Sequence, residues 1–173
     1  MLVRACLAGD AGAYGVLVRK YSGPLFNAAY RITRNRDDAS EATQAALVKA
    51  YEKLPTFDFA HRFFSWIYRI ALNEALDVVG RRPRQADLED AGAVATGDPE
   101  NAYVESERSR LVQRALMELP PESRALLVLR HFQGLGYAEL AEILGVPEKT
   151  IKSRLFTARQ RLRDVMNRHG WLR

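Results

Sequence analysis

The sequence predicts an all-α protein made of two small helical domains, and three observations carry that prediction. Apolar residues recur at helical spacing along most of the chain. Convincing strand alternation is absent. An acidic, glycine-containing segment without Lys or Arg separates two basic parts.

In the N-terminal part, Ala13, Leu17 and Tyr21 form one apolar stripe and Leu25, Ala28, Ala29 and Ile32 another. Ala46, Ala50, Tyr51 and Leu54 follow on a third helix, which ends at Pro55. A fourth begins near Phe63, runs through Trp66, Ile67, Ile70, Asn73 and Leu76, and closes in Arg81-Arg82-Pro83-Arg84. From Gln85 to Glu107 the charges are all negative: Asp87, Glu89, Asp90, Asp98, Glu100, Glu105 and Glu107. Gly92, Gly97 and Pro99 lie among them, so the segment reads as an acidic flexible linker. It is either a solvated loop or a negatively charged spacer that occupies a basic channel or mimics nucleic acid. Helical patterning then resumes: Leu111, Ala115 and Leu119 up to Pro120-Pro121, and Leu126, Leu127 and Leu129 up to Gly134.

The most informative stretch is Tyr137 to Leu155, YAELAEILGVPEKTIKSRL. Leu140, Ala141 and Leu144 turn one side of a short helix to a core, with Ala141 small where a crossing helix approaches. Gly145 can adopt the positive φ of a tight inter-helix turn. Pro147 suits the first turn of the next helix, where its missing N–H costs nothing. That helix buries Ile151, Leu155, Ala158, Leu162 and Val165 and carries Lys149, Lys152, Arg154, Arg159, Arg161 and Arg163 elsewhere. This is the layout of a helix-turn-helix whose second helix enters the DNA major groove. Glu148, Lys149, Lys152 and Ser153 are candidate base readers, and Arg154, Arg159 and Arg163 candidate phosphate contacts. The plainer reading is a solvated basic helix in a bundle.

Two further features lie upstream. PTFDFAHRFFSWIY, from Pro55 to Tyr68, interleaves aromatic rings with positive charge, a combination that suits single-stranded nucleic acid. Phe63, Trp66, Ile67 and Ile70 fit a core, whereas Phe57 to Arg62, after a proline and without a helical stripe, read as a loop and the better binding candidate. Asp37-Asp38-Ala39-Ser40-Glu41 opens the third helix, where acidic groups complement the helix dipole. Asp38, Glu41, Gln44 and Lys49 also share a polar face opposite Ala46, Ala50 and Leu54, and such a face could dock another protein.

Composition limits the alternatives. Of 173 residues, 47% are hydrophobic and 27% charged, enough for a real core, and the net charge of +5 with a pI near 9.6 favours a polyanionic partner. The lone Cys6 excludes an internal disulfide, and His61, His131 and His169 lack ligand-like spacing, so no metal or cofactor is expected. No phosphate-binding glycine loop and no membrane-length apolar run occur, and the first residues lack signal-peptide character. A cytoplasmic protein without membrane insertion is expected.

Taken together these motifs resemble the extracytoplasmic-function (ECF) sigma factors of bacterial RNA polymerase. The likeness rests on three ordered blocks. Asp38-Ala39-Ser40-Glu41 with Gln44 stands in the place of an acidic motif. Phe63-Phe64-Ser65-Trp66-Ile67-Tyr68-Arg69-Ile70-Ala71-Leu72-Asn73, with Asp77 and Arg81-Arg82, matches the second. Leu119-Pro120 with Arg124, then Thr150-Ile151-Lys152-Ser153-Arg154-Leu155, matches the third. The resemblance implies a region 2 domain over 1–84, a linker over 85–107 and a region 4 domain over 108–173. It implies that Asp38, Glu41, Gln44 and Lys49 bind core RNA polymerase, and that the acidic linker threads toward the polymerase active-site channel. Phe57, Asp58, Phe59, His61, Arg62, Arg69 and Asn73 would take the melted minus-ten strand. Glu148, Lys149, Thr150, Lys152, Ser153, Arg154 and Arg159 would bind the minus-thirty-five element as duplex. An anti-sigma factor or other regulator is a further expected partner, and no catalytic residue is expected.

Two positions depart from the family pattern: Ser40 stands where Glu is usual and Leu47 where Phe is common, which implies reduced core affinity. Phosphorylation of Ser40 or Thr43 would restore negative charge there. Three other functions compete with a sigma factor. A helix-turn-helix regulator would bind duplex DNA without polymerase. A sigma-like module would only titrate another factor. An enzyme is disfavoured, because no nucleophile–base pair or metal cluster is visible.

Overall fold

Two helical layers share one continuous core in the computed structural model, which describes residues 2–81 and 107–171. The expected linker lies outside the described residues except for Glu107, the first residue of α5. Among the described residues there is no strand.

In the N-terminal half, α1 (Leu2–Leu7) leads into the 23-residue helix α2 (Ala11–Thr33), then α3 (Arg36–Lys53), a short 3-10 turn (Leu54–Thr56) and α4 (Phe63–Arg81). The two stripes read separately in the sequence therefore lie on one helix that passes through Pro24. A proline inside a helix costs about 3 kcal/mol. Burial on both sides of it offsets this: Leu17 and Tyr21 before Pro24, and Leu25, Ala28 and Ile32 after it, all enter the core.

The helix ends follow from local chemistry. Asp10 accepts the Ala13 N–H at 3.1 Å and starts α2, and Asn35 accepts the Asp38 N–H at 2.9 Å and starts α3. Between them Arg34 takes a left-handed φ of 58°, and its N–H donates to Tyr30 O at 2.8 Å. On α3, Ala39, Ala42, Ala46 and Ala50 form the buried ridge, so α2 and α4 can approach closely. Glu74 of α4 is buried beside this ridge, and Lys49 Nζ meets its Oε1 at 2.6 Å. Tyr51, expected in the apolar stripe, instead faces outward.

The C-terminal half comprises α5 (Glu107–Met117), α6 (Pro121–His131), α7 (Tyr137–Leu144) and α8 (Glu148–Arg168). Leu129 of α6 lines one small cavity together with Leu25, Ala29 and Ile32 of α2 and Leu72 of α4, at the seam between the two halves. Arg124, only 3% exposed, fastens the same seam. Its guanidinium donates to the carbonyls of Leu116, Met117 and Leu119 at 3.0, 3.0 and 3.3 Å, and across the seam to Ile32 O at 2.5 Å. Carbonyls at helix ends lack partners within the helix, and a buried guanidinium can satisfy several at once.

Candidate nucleic-acid interface

The helix-turn-helix forms as its sequence requires. Gly145 ends α7 with φ 64°, and its N–H donates to Ala141 O. Pro147 is the residue just before α8, one position earlier than expected, and its carbonyl accepts Thr150 and Ile151 N–H groups. Ile151, Leu155, Ala158 and Val165 are buried, and Leu162 is partly buried against the core. The opposite face is open: Glu148, Lys149, Lys152, Ser153, Arg154 and Arg159 are exposed, and Thr150 is half-buried beside them. Lys152 Nζ sits 5.8 Å from the Tyr137 ring, which also carries Arg130 at 5.1 Å.

Sequence reasoning missed Phe156. It is 63% exposed, next in sequence after the buried Leu155 and surrounded on α8 by polar residues. A large ring left in water between cationic side chains can pack on a thymine methyl or a sugar. The available signal was its position one residue past a core leucine. Arg163 lies farther down α8, where it contacts Gln160 Oε1 at 3.5 Å. Arg159 Nη2 lies 3.5 Å from His131 Nε2. Partial burial, with Arg159 and then Arg130 nearby, pushes the His131 pKa below its ordinary 6.5.

In the other half, the loop after the 3-10 turn divides its aromatics differently from expectation. Phe57 is 7% exposed and packs edge-on against Phe59, Phe63 and Trp66 at centroid distances of 5.1, 5.7 and 5.3 Å. It is core, because the proline turn directs it inward against α4, which corrects its reading as a strand-binding ring of the loop. Phe59 is 48% exposed, with Arg4 5.1 Å from its ring centre. Asp58 shapes the loop by accepting the Ala60 N–H at 2.8 Å. Phe63 and Trp66 are only half-buried, beside the fully enclosed Ile67. Asn73 is exposed on α4, and His61, Arg62 and Arg69 reach toward α7 of the other half.

On α3 the exposed residues Asp37, Glu41, Gln44, Val48 and Tyr51 form one stripe, spaced four, three, four and three apart, with Arg36, Glu52 and Lys53 exposed at the two ends of the helix. Val48 and Tyr51 are each 57% exposed, and neither was a sequence candidate. Glu41 and Gln44 lie on the stripe as expected. Asp38 is half-buried in the first turn, and Lys49 is turned to Glu74, so both stand off it. Thr43 is buried, with its hydroxyl donating to Ala39 O at 2.7 Å; Ser40 is half-exposed and accepts Gln44 Nε2 at 3.3 Å.

Among the described residues no group of acidic, His and Cys side chains could hold a metal ion, and no helix is long and apolar enough to cross a membrane. An exposed cationic helix-turn-helix in one half, with an aromatic loop and a mixed acidic–apolar helix face in the other, defines the class as a helical DNA-binding protein. Comparison with known proteins identifies the family. The sigma-70 region 2 model matches residues 17–85 and the sigma-70 region 4 model residues 109–162. The chain is 36% identical over 171 residues to the RNA polymerase sigma-H factor of Pseudomonas aeruginosa, covering 92% of this chain and 89% of that protein. It is 33% identical over 175 residues to the ECF RNA polymerase sigma-E factor of Haemophilus influenzae, covering 94% and 92%. The sigma factor RpoE of Bartonella quintana, solved in complex with the anti-sigma factor NepR, superposes with a TM-score of 0.66 at 25% identity, over 89% of this chain and 96% of that one. The chain belongs to the ECF sigma factors of the sigma-70 family: it is an RNA polymerase sigma factor that directs promoter recognition and transcription initiation.

Proposed function

We propose that the sigma activity is divided among three surfaces. The face of α8 carrying Lys149, Lys152, Ser153, Arg154 and Phe156 reads the minus-thirty-five element as duplex, with Arg159 on phosphate. Phe59, His61, Arg62, Arg69 and Asn73 take the melted minus-ten strand. The α3 stripe from Asp37 through Glu41, Gln44 and Val48 to Tyr51 docks on core polymerase. Residues 1–84 and 108–173 then act as the region 2 and region 4 domains, with 85–107 as the connection between them.

The observation that carries this reading is the exposure of the α8 cations over a fully buried Ile151–Leu155–Ala158 seam. Exposed apolar residues within an otherwise polar stripe mark a protein contact, which supports the α3 assignment. Chemistry belongs to the polymerase, so this chain supplies no catalytic group. It works in the cytoplasm, where core enzyme and promoter meet, and it answers to an anti-sigma factor or similar regulator, as the Bartonella relative does with NepR. If the acidic face is tuned by phosphorylation, Ser40 is the acceptor, because the Thr43 hydroxyl is buried.

The test is run-off transcription with purified core enzyme on a promoter library. Core-dependent transcripts that vanish with Lys152→Ala support the assignment. A footprint by the chain alone that core enzyme does not alter would instead favour a simple duplex-binding regulator. Unchanged core affinity in Ser40→Glu discards the phosphorylation reading.

A further inference from the structure

The first helix of the chain brings a cation onto the loop assigned above to the melted strand. The six residues of α1 are too few to hold a helix in water by themselves, so packing decides where α1 lies. Val3 is buried in the core, Leu2 and Cys6 pack partly against it, and α1 touches both α2 and the 3-10 turn. Arg4, the next residue after Val3, is exposed. Its guanidinium carbon lies 5.1 Å from the centre of the Phe59 ring, within cation–π reach.

The loop holds Phe59 in place as well. Phe57, itself buried, meets it edge-on at 5.1 Å, and Asp58 closes the turn by accepting the Ala60 N–H at 2.8 Å. The Phe59 ring is still 48% exposed, so a flat base can reach it beside the cation.

The charge of Arg4 is uncompensated. Among the described residues no carboxylate lies within ion-pair distance of it. The next acid in sequence, Asp10, is engaged with the Ala13 N–H, and Asp58 with that of Ala60. Arg62 and Arg69, by contrast, bond to oxygens of α7. A cation–π contact consumes no hydrogen-bond donor, so the Arg4 N–H groups remain available. A guanidinium with open donors beside an exposed ring matches a single nucleotide: the base packs on the ring and the phosphate takes the donors.

We propose that Arg4 is a further contact for the melted strand, holding a backbone phosphate of the nucleotide whose base packs on Phe59. The proposal rests on the assignment of the unpaired strand to this loop. The strand-binding face then extends from α4 and its loop onto α1, and residues more than fifty positions apart in sequence grip one nucleotide. Arg4 contributes affinity and salt dependence without reading the base, because a phosphate carries no sequence information.

The experiment uses the chain assembled with core enzyme. The probe is a fork-junction DNA from a promoter that the wild-type chain transcribes, with its minus-ten strand unpaired. Fluorescence anisotropy follows binding across a series of salt concentrations. The variants are Arg4→Met, Arg4→Lys, Phe59→Ala and, as a control for the loss of one exposed cation, Arg114→Met on α5. Arg4→Met is expected to weaken fork binding about tenfold, the effect of one charge-assisted contact. It should also make the log–log salt slope shallower by about 0.7, the share of one single-strand phosphate. Arg4→Lys should keep the slope and recover part of the affinity, and Arg114→Met should behave as wild type. A guanidinium that merely steadies the Phe59 ring would leave the slope of Arg4→Met unchanged, and that result overturns the proposal. So does an equal loss in Arg114→Met, or a loss of core affinity in place of fork affinity, which would give Arg4 to an acidic protein surface. Phe59→Ala reads the strand assignment separately. Fork binding weakened by Phe59→Ala but not by Arg4→Met removes Arg4 and leaves the assignment standing. Wild-type fork binding by Phe59→Ala removes the assignment and the Arg4 contact with it.

Discussion

Lys49 Nζ lies 2.6 Å from Glu74 Oε1, a carboxylate enclosed between α3 and α4. A buried carboxylate without its partner carries a desolvation penalty, so Lys49 stabilises the packing of the region that presents the α3 stripe. Its ammonium is partly exposed, which screens the pair, and Lys49→Met is expected to cost about 1–2 kcal/mol in urea unfolding. Val48→Asp, on the exposed stripe, should change stability by less than about 0.5 kcal/mol yet weaken core polymerase binding; Tyr51→Ala should weaken that binding too, while losing about 0.5–1.5 kcal/mol from its edge-on contact with Tyr14. Core affinity that falls only with Lys49, and not with the stripe, would move the docking surface elsewhere.

Arg124 satisfies four carbonyls from one buried guanidinium. Arg124→Met would leave these acceptors inside the protein and should cost about 3 kcal/mol or more, since each buried orphan costs about 1–3 kcal/mol. Arg124→Lys should recover only part of that, because a point charge cannot replace the planar fork. Equal denaturation midpoints for the wild-type chain and Arg124→Met would remove this role.

The aromatic loop separates stability from function. Phe57→Ala should destabilise by about 3–5 kcal/mol, the usual cost of emptying a core site of that size. Phe59→Ala should cost much less, about 0.5–1.5 kcal/mol from its edge-on contact with Phe57, and should impair promoter opening, read by permanganate reactivity of unpaired thymines. Opening that survives Phe59→Ala at wild-type level would take Phe59 out of the strand-binding set.

On α8, Lys152→Ala or Arg154→Ala should cost about 1–3 kcal/mol of duplex affinity where a bidentate base contact is lost. Arg159→Ala should weaken all sequences alike and reduce the salt slope by about 1. Phe156→Ala should lower affinity without changing that slope, because it removes area and not charge. A changed slope would mean that Phe156 acts through its cationic neighbours.

His131 offers a pH readout. Burial comes first and Arg159 second among the causes that hold its pKa below 6.5. The folded chain thus binds fewer protons than the unfolded chain just below pH 6.5. Stability from this group is complete above that value and declines as pH falls from 6.5 toward the depressed folded pKa. Arg159→Ala should raise the midpoint, and duplex phosphates drawn to Arg159 should raise it too, which makes duplex binding slightly tighter at lower pH. NMR titration of the imidazole checks both, and a midpoint that ignores duplex would place the phosphates away from Arg159.

The sequence by itself determined the helical class, the start of α4, the Gly145 turn and the buried and exposed faces of α8. Each follows from local rules: periodicity, a positive-φ glycine, a proline that ends or precedes a helix. The union of two stripes into α2 was hidden, because Pro24 signals a break and only packing on both sides of it overrides that signal. The inward turn of Phe57, the pairing of Lys49 with Glu74 and the outward display of Val48 and Tyr51 were hidden too. Spacing on one helix does not say which neighbour will cover it. The Glu142–Arg62 contact joins residues eighty positions apart in sequence, across a segment whose pattern says nothing about how the halves meet. Only the tertiary structure decided that the helix-turn-helix lies against the loop, because that choice depends on which unsatisfied helix ends and which buried surfaces fit each other in space.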